Sequence, residues 1–294
     1  MQTLLFQDPG LIKEMAKPPK GQLLKWIGNK QRFARKIVSF FPDNFGRYYE
    51  PFLGSGAVLG TLAKEDSVGA DCFKPLAEIW QTLAQSPETL KQWYKERWHL
   101  TIRQGKKEAY EAIKHSYNSH PNAPDLLFLC RSCYGGVVRF RQADGYMSTP
   151  CGIHTAISPE AFAKRVDEWH GRVKRATFVH AEYEDTMDRA RKGDLIYCDP
   201  PYSHTQSILY GAQSFSLERL FEVIGSCRSR GVFVALSIDG SKRSGRLQCS
   251  LPPADGLFER EILLDCGRSM LKRFQMNGAS LEDEVVHDRL LLTY

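Results

Sequence analysis

Residues 199–202 read Asp-Pro-Pro-Tyr and follow the apolar run Leu195-Ile196-Tyr197-Cys198. Two prolines make a rigid turn, and open α/β sheets bind ligands at the carboxyl ends of their strands. Such a turn offers the Asp199 carboxylate, the Pro200 carbonyl and the Tyr202 ring together. Those groups suit an aminated nucleobase: two acceptors for its N–H donors and a ring to stack on. The lone pair of such an amine is delocalised and weakly nucleophilic. Acceptors at Asp199 and Pro200 draw it towards a tetrahedral, reactive geometry. A purely structural Pro-Pro turn is a fair reading of the tetrapeptide alone. Cys198, inside the strand, is read as packing and not as a nucleophile, and His204 as a loop histidine.

A second constellation weakens the structural reading. Glu50-Pro51-Phe52-Leu53-Gly54-Ser55-Gly56 ends a strand in a glycine turn. Glycines there let a ligand approach the backbone beside a helix N-terminus. Asp71 ends the next strand, where a carboxylate can accept hydrogen bonds from ribose hydroxyls. A dinucleotide fingerprint would need a third glycine at 59, but Leu59 stands there and Gly60 comes one late.

These groups need a parallel sheet to position them. Phe33, Ile37, Val38 and Phe41 have helical spacing over 29–41, ending at Pro42. Residues 47–53 read as a strand, 57–64 as a helix and 68–71 as a second strand, an opening β-turn-α-β unit. Residues 86–120 read as helical, with Trp93, Tyr94, Trp98, Tyr110 and Tyr117 expected in a bundle core rather than as a stacking platform. Residues 134–152 read as a hairpin around Asp144-Gly145. Strands are expected at 176–180, 194–198 and 232–237, and two more near 259–264 and 284–293. Ser216 is expected to cap a helix carrying Leu217, Leu220, Phe221 and Ile224, stopped at Gly231.

Charge is unevenly spread. The chain carries +6 overall, and residues 85–175 alone hold 15 Lys/Arg against 9 Asp/Glu. The rest is neutral, so a neutral body carries a basic attachment suited to a polyanion. The expected organisation is a cofactor-binding half at 1–84, a recognition insertion at 85–175 and a catalytic half at 176–294. No long apolar run or signal-peptide core is visible, so no membrane role and a cytoplasmic location are expected. Scattered cysteines, with Cys130 and Cys133 the one C-x-x-C pair, fit reduced thiols and no metal.

With these motifs in hand, the sequence resembles the Dam-type (alpha-group) DNA adenine-N6 methyltransferases over about Leu24 to Tyr294. Lys25-Trp26-Ile27-Gly28-Asn29-Lys30 is similar to the family's N-terminal Lys-Trp-x-Gly-x-Lys element. Glu50 to Gly56 resembles its methionine-side cofactor loop, and Asp199 to Tyr202 its catalytic turn. Tyr134-Gly135-Gly136-Val137-Val138-Arg139 and Gly145 to Gly152 resemble its DNA-reading hairpin, and Glu284 to Tyr294 its last strand. The resemblance implies a Rossmann-like α/β sheet, mostly parallel with an antiparallel last strand, carrying a helical and hairpin insertion. It implies S-adenosylmethionine as cofactor and methyl transfer to the N6 amine of an adenine flipped out of double-stranded DNA. By the same resemblance Asp199, Pro200 and Tyr202 are catalytic. Trp26, Lys30, Glu50, Pro51, Phe52, Gly54, Gly56, Asp71, Glu182, Tyr183 and Asp199 hold the cofactor. Lys25, Tyr134, Arg139, Arg141 and Pro150 touch DNA, although a solvated Arg141 is an equal alternative.

Three positions depart from the family pattern. Phe73 stands where an Asn is usual, Gly135 replaces the Asn of Tyr-Asn-Gly, and Ile238 replaces an Asn after Ser237. They bear on the recognition sequence more than on the chemistry. Competing readings are an N4-cytosine or RNA adenine methyltransferase, an NAD oxidoreductase disfavoured by Leu59, and a non-catalytic DNA-binding module with a degenerate fold. A monomer is expected, and a restriction endonuclease working with it would be a separate chain.

Overall fold

Short buried runs alternate with amphipathic helices, and that pattern dictates a parallel sheet with helices on its faces. The computed structural model describes residues 18–141, 143–201, 215–242, 247–248, 256–268 and 285–294. Its strands in chain order are β1 (Tyr48–Glu50), β2 (Val68–Asp71), β3 (Thr177–His180), β4 (Leu195–Cys198), β5 (Phe233–Lys242), β6 (Leu247–Gln248), β7 (Arg260–Arg268) and β8 (Val285–Leu292). They form one sheet in the order β3-β2-β1-β4-β5-β8-β7, with β6 paired to β5. Neighbours among β1 to β5 are parallel, and β8 runs antiparallel between β5 and β7. The expected mostly parallel sheet with an antiparallel last strand is therefore present.

The strand order reverses between β1 and β4, where Tyr48 pairs with Leu195 and Tyr49 with Ile196. Chains leave these two strands in opposite directions across the sheet, so a crevice opens at their carboxyl ends. Both strands are buried along their length, as inner strands of a parallel sheet covered on both faces are.

The described helices are α1 (Ala34–Ser39), α2 (Ala57–Leu62), α3 (Lys74–Gln85), α4 (Pro87–Gln104), α5 (Lys106–Ser119), α6 (Ala123–Ser132), α7 (Pro159–Val173), α8 (Tyr183–Asp188) and α9 (Leu217–Ser229). Helices α3 to α7 all lie within the single crossover from β2 to β3. Trp80 of α3 and Trp169 of α7 are fully buried with ring centroids 5.3 Å apart. Burying rings of this size stabilises by about 1.5–3 kcal/mol each. Their indole N–H groups donate to the carbonyls of Gly54 and Gly21, which ties the chain before α1 and the loop after β1 to these helices. Tyr94 of α4 stacks on Phe162 of α7 at 4.0 Å, so the basic helices share a continuous core with the sheet's own helices.

Several expectations change. The helix expected over 29–41 shrinks to α1, because residues 30–33 form turns stabilised by the Lys30 carbonyl, which accepts from Phe33 and Ala34 N–H. The strand expected over 47–53 ends at Glu50, where Pro51 already begins the turn. The helical run 86–120 is two helices, broken at Gly105 with φ +91°. Tyr94, Tyr110 and Tyr117 are buried and Trp93 and Trp98 pack against the same core, as expected of a bundle interior. Ser216 caps α9, its hydroxyl accepting from Arg219 N–H at 3.1 Å. Helices α3, α6, α7 and α8 were not anticipated. Among the described residues no helix is long and apolar enough to cross a membrane, and no His/Cys/Asp/Glu group could hold a metal.

Candidate active site

The crevice between β1 and β4 collects the predicted cofactor residues. Trp26, Lys30, Glu50, Pro51, Phe52, Gly54, Asp71, Glu182, Tyr183 and Asp199 border one cavity. Gly56 does not. It begins α2 at φ +60°, and a Cβ there would stand 2.8 Å from the Trp80 ring, so this glycine serves helix packing. Gly54, at φ +48°, turns the loop so that its N–H donates to Asp71 Oδ2 at 3.0 Å. Phe73 N–H donates to Asp71 Oδ1, also at 3.0 Å. Burial nevertheless dominates, and pushes the Asp71 carboxyl up to about 6 against these bonds.

Glu50 lies deeper, at 2% exposure. Burial, and secondarily the negative charge of Asp199, push its carboxyl up to about 8, although the Tyr48 hydroxyl and Leu59 N–H bond to it and oppose the rise. Tyr48 donates to Glu50 Oε2 at 2.7 Å. The two residues share one face of β1 because side chains repeat every second position.

Across the crevice, Asp199 is met by Lys30. The ammonium stands 2.9 Å from Asp199 Oδ1, 3.6 Å from Asp288 Oδ2 and 3.4 Å from the Gly28 carbonyl. Pro200 is buried, and Pro201 rather than Pro200 borders the cavity. Behind the turn, the Tyr197 hydroxyl and Ser237 Oγ are 2.8 Å apart in the buried sheet. Tyr202 lies outside the described residues.

Aromatic rings form two walls. Phe52 stacks on Tyr183 with centroids 5.1 Å apart, and Phe215 meets Phe52 edge-on at 5.9 Å. On the other side Trp26 and Phe73 lie 6.3 Å apart, and Phe140 from the expected hairpin packs edge-on against Phe73 at 5.6 Å.

That hairpin is present as two antiparallel bridges, Cys133 with Cys151 and Phe140 with Met147, in place of full strands. Gly135 and Gly136 both take positive φ, so no amide side chain projects here. Lys25 packs against Gly136 so closely that a Cβ on that glycine would stand 2.9 Å from Lys25 Cβ. Lys25, Tyr134, Arg139, Arg141 and Pro150 are all exposed. Arg141 makes a two-pronged bond to Asp144, at 3.1 and 2.5 Å, and lies over the Tyr146 ring at 4.3 Å. Its guanidinium is thus engaged within the hairpin tip.

Sequence reasoning missed Asp288, Tyr48 and Phe215. A lone acid before the apolar Leu290-Leu291-Leu292 was a signal for the first, and the i, i+2 spacing to Glu50 for the second. Phe215 carried none.

The chain is similar to the DNA N-6-adenine-methyltransferase of Escherichia phage P1, 26% identical over 234 residues that cover 74% of this chain and 30% of that protein. It is similar to the Retron Ec67 DNA adenine methylase of Escherichia coli, 28% identical over 191 residues, covering 63% of this chain and 65% of that protein. It is also similar to a DNA adenine methylase of Vibrio cholerae serotype O1, 26% identical over 236 residues, covering 76% and 83%. The chain therefore spans under a third of the phage protein and just under two thirds of the retron protein. A family model, D12 class N6 adenine-specific DNA methyltransferase, matches residues 26–258. From the strand-end carboxylates to the glycine loop, the chain belongs to the D12 class of N6 adenine-specific DNA methyltransferases.

Proposed function

We propose that the protein transfers the methyl group of S-adenosylmethionine to the N6 amine of an adenine flipped out of double-stranded DNA. The observation that carries this reading is the placement of Asp199, paired with Lys30, in the same switch-point cavity as Glu50 and Asp71. The cavity fits the cofactor by its donor set and its backbone. Asp71 is held by two N–H groups and would accept bonds from ribose hydroxyls, and the Phe52 and Tyr183 rings suit a purine. Glu50 suits the cationic methionine end. Gly54 leaves the loop without a side chain where Trp26 closes in, since a Cβ would stand 3.3 Å from that ring.

When bound, S-adenosylmethionine supplies a methyl group made electrophilic by its sulfonium. The chain's own residues prepare the amine. A cation on Oδ1 favours the ionised, acceptor-only form of Asp199. Asp199, which borders the cavity, would accept one N–H bond, and the sequence resemblance assigns the other to the Pro200 carbonyl, so that the nitrogen's lone pair is directed outwards. Asp199 is also placed to accept the proton that the amine gives up. Tyr202 is assigned the stacking role by sequence.

Residues 85–175 are assigned to the DNA, with Lys25, Tyr134, Arg139 and Pro150 exposed for contact. Residues 1–84 and 176–294 are assigned to the cofactor and catalytic halves. We place the enzyme in the cytoplasm, as a monomer, with any nuclease on a separate chain.

Asp199→Ala tests the reading. Adenine methylation of duplex DNA, followed by base analysis of the product, is expected to be lost while cofactor binding stays near wild type. Substantial transfer by the variant, or methylation found on cytosine, would overturn it.

A further inference from the structure

Residues 18–29 carry no helix or strand, so their backbone polar groups need partners from elsewhere. Helices α6 and α7 of the insertion supply several. Trp169 Nε1 donates to the Gly21 carbonyl at 2.7 Å, and Arg165 Nη1 to the Gln22 carbonyl at 3.0 Å. Arg131 Nη1 reaches two carbonyls at once, those of Gln22 and Leu23, each at 2.8 Å. Lys20 N–H donates to Glu168 at 2.8 Å. Gly21 belongs to the same joint, since a Cβ there would stand 3.0 Å from the Arg165 guanidinium. Arg131 is 5% exposed, and its guanidinium lies 5.5 Å from the centre of the Phe162 ring. Burying a cation is costly, and an apolar side chain would fill the same space without that cost. Packing alone therefore does not explain an arginine at 131.

The pinned strap leads directly to the site. Leu23 and Leu24 are buried, Lys25 packs on Gly136 of the hairpin, and Trp26 closes in on Gly54. Trp26, Ile27 and Gly28 border the cavity, whereas Arg131 and Arg165 do not.

We propose that Arg131 and Arg165 are positioning residues for the cofactor: by gripping the carbonyls of Gln22 and Leu23 they set Trp26 as a wall of the cavity. The inference rests on the reading of that cavity as the S-adenosylmethionine site. A strap without regular structure has few bonds of its own to fix where Trp26 stands. The two guanidiniums tie it to helices that share the buried core.

Cofactor Kd by titration calorimetry, together with hydrogen exchange, tests this. Arg131→Met is expected to raise the Kd for S-adenosylmethionine about tenfold, the scale of losing hydrogen bonds from a charged group. Arg165→Met, which leaves Arg131 on the Gln22 carbonyl, is expected to raise it about threefold. Arg131→Lys keeps the charge but gives up the planar fork, and is also expected to weaken binding about threefold. In all three, exchange should quicken across residues 21–28 and stay at the wild-type rate in β4. Leu90→Val loosens the same core and leaves these bonds in place. It should lower Tm with Kd within about twofold of wild type, a split that a merely structural role for the arginines would not produce. A folded Arg131→Met enzyme with wild-type Kd overturns the inference. So does unchanged exchange at 21–28, or a Leu90→Val enzyme that binds as weakly as Arg131→Met. Should Arg131→Met fail to fold by circular dichroism, the Arg131→Lys and Arg165→Met enzymes decide on the same terms. Wild-type enzyme that does not bind S-adenosylmethionine would sink the reading of the cavity, and this inference with it. Wild-type binding with unaffected variants would sink only the role of the arginines.

Discussion

Two carboxylates end adjacent strands of one sheet and face one cavity, yet the protein treats them oppositely. Glu50 is buried at the end of β1 with a phenol and a backbone N–H as partners, and desolvation wins, holding its carboxyl up at about 8. Asp199 is more open, at 18% side-chain exposure, and has a lysine at 2.9 Å. The two differ in burial and in partner: Glu50 is closed off with neutral donors that do not offset its desolvation, whereas Asp199 is more open and lies beside a cation. In the proposed reading, the first acid meets the cationic end of the cofactor and the second accepts the amine.

Breaking the second acid should have the largest effect. Asp199→Asn keeps the shape, so kcat should fall about 10²–10³-fold with cofactor affinity little changed, as steady-state kinetics and equilibrium binding would show. A fall in affinity matching that in kcat would mean the two acids share one role.

Breaking the first acid should act on binding. Glu50→Gln should weaken cofactor affinity on the order of 10- to 100-fold, the scale of a hydrogen bond to a charged group, measured by titration calorimetry. It should also change stability. A folded-state value raised from 4.5 to about 8 means the folded cofactor-free protein holds more protons than the unfolded chain across that window. Glu50 therefore favours folding at the acid end, and stability falls as pH rises from 4.5 to 8. Urea midpoints against pH should show a shallower fall in the Gln variant.

Tyr48→Phe sharpens the comparison most gently. The lost hydroxyl bond should cost about 1 kcal/mol. Because that bond favours the ionised acid, its loss should extend the pH-dependent fall in stability above 8. A fall ending below that point would assign the burial effect to something other than Glu50.

Legibility in the sequence followed range. The ends of β1 and β4 were readable because an apolar run met a Gly or Pro turn within a few residues, and Asp71 because it closed the next run. Helix α7 went unread although Ser158 and Pro159 mark its start and Phe162, Val166, Trp169 and Val173 its buried face. It lay inside a segment read for charge. Gly105 divided a helix that periodicity alone carried through. Asp288 meets Lys30 across nearly the whole chain, and no local pattern encodes such a contact. The three departures at 73, 135 and 238 also acquired physical content. Phe73 joins Trp26 to Phe140, Gly135 frees the hairpin of an amide, and Ile238 is buried in the sheet at 7% exposure.

Under the proposed assignment of residues 85–175 to DNA, the crossover from β2 to β3 bears on how target choice could be altered. Helices α4 to α6 are knitted through Tyr94, Phe128 and Phe162 to α7, and through the Trp80–Trp169 contact to the cofactor loop. Transplanting residues 85–175 as a module would tear that joint core. Residues between the Cys133–Cys151 bridge pair by backbone, bury Val138 and Met147 in the same core, and are bonded by Asn118 and Tyr110 of α5. A smaller unit to exchange is this hairpin, and its replacement would need to preserve the buried Val138 and Met147, the Phe140 anchor and the left-handed turn beside Lys25.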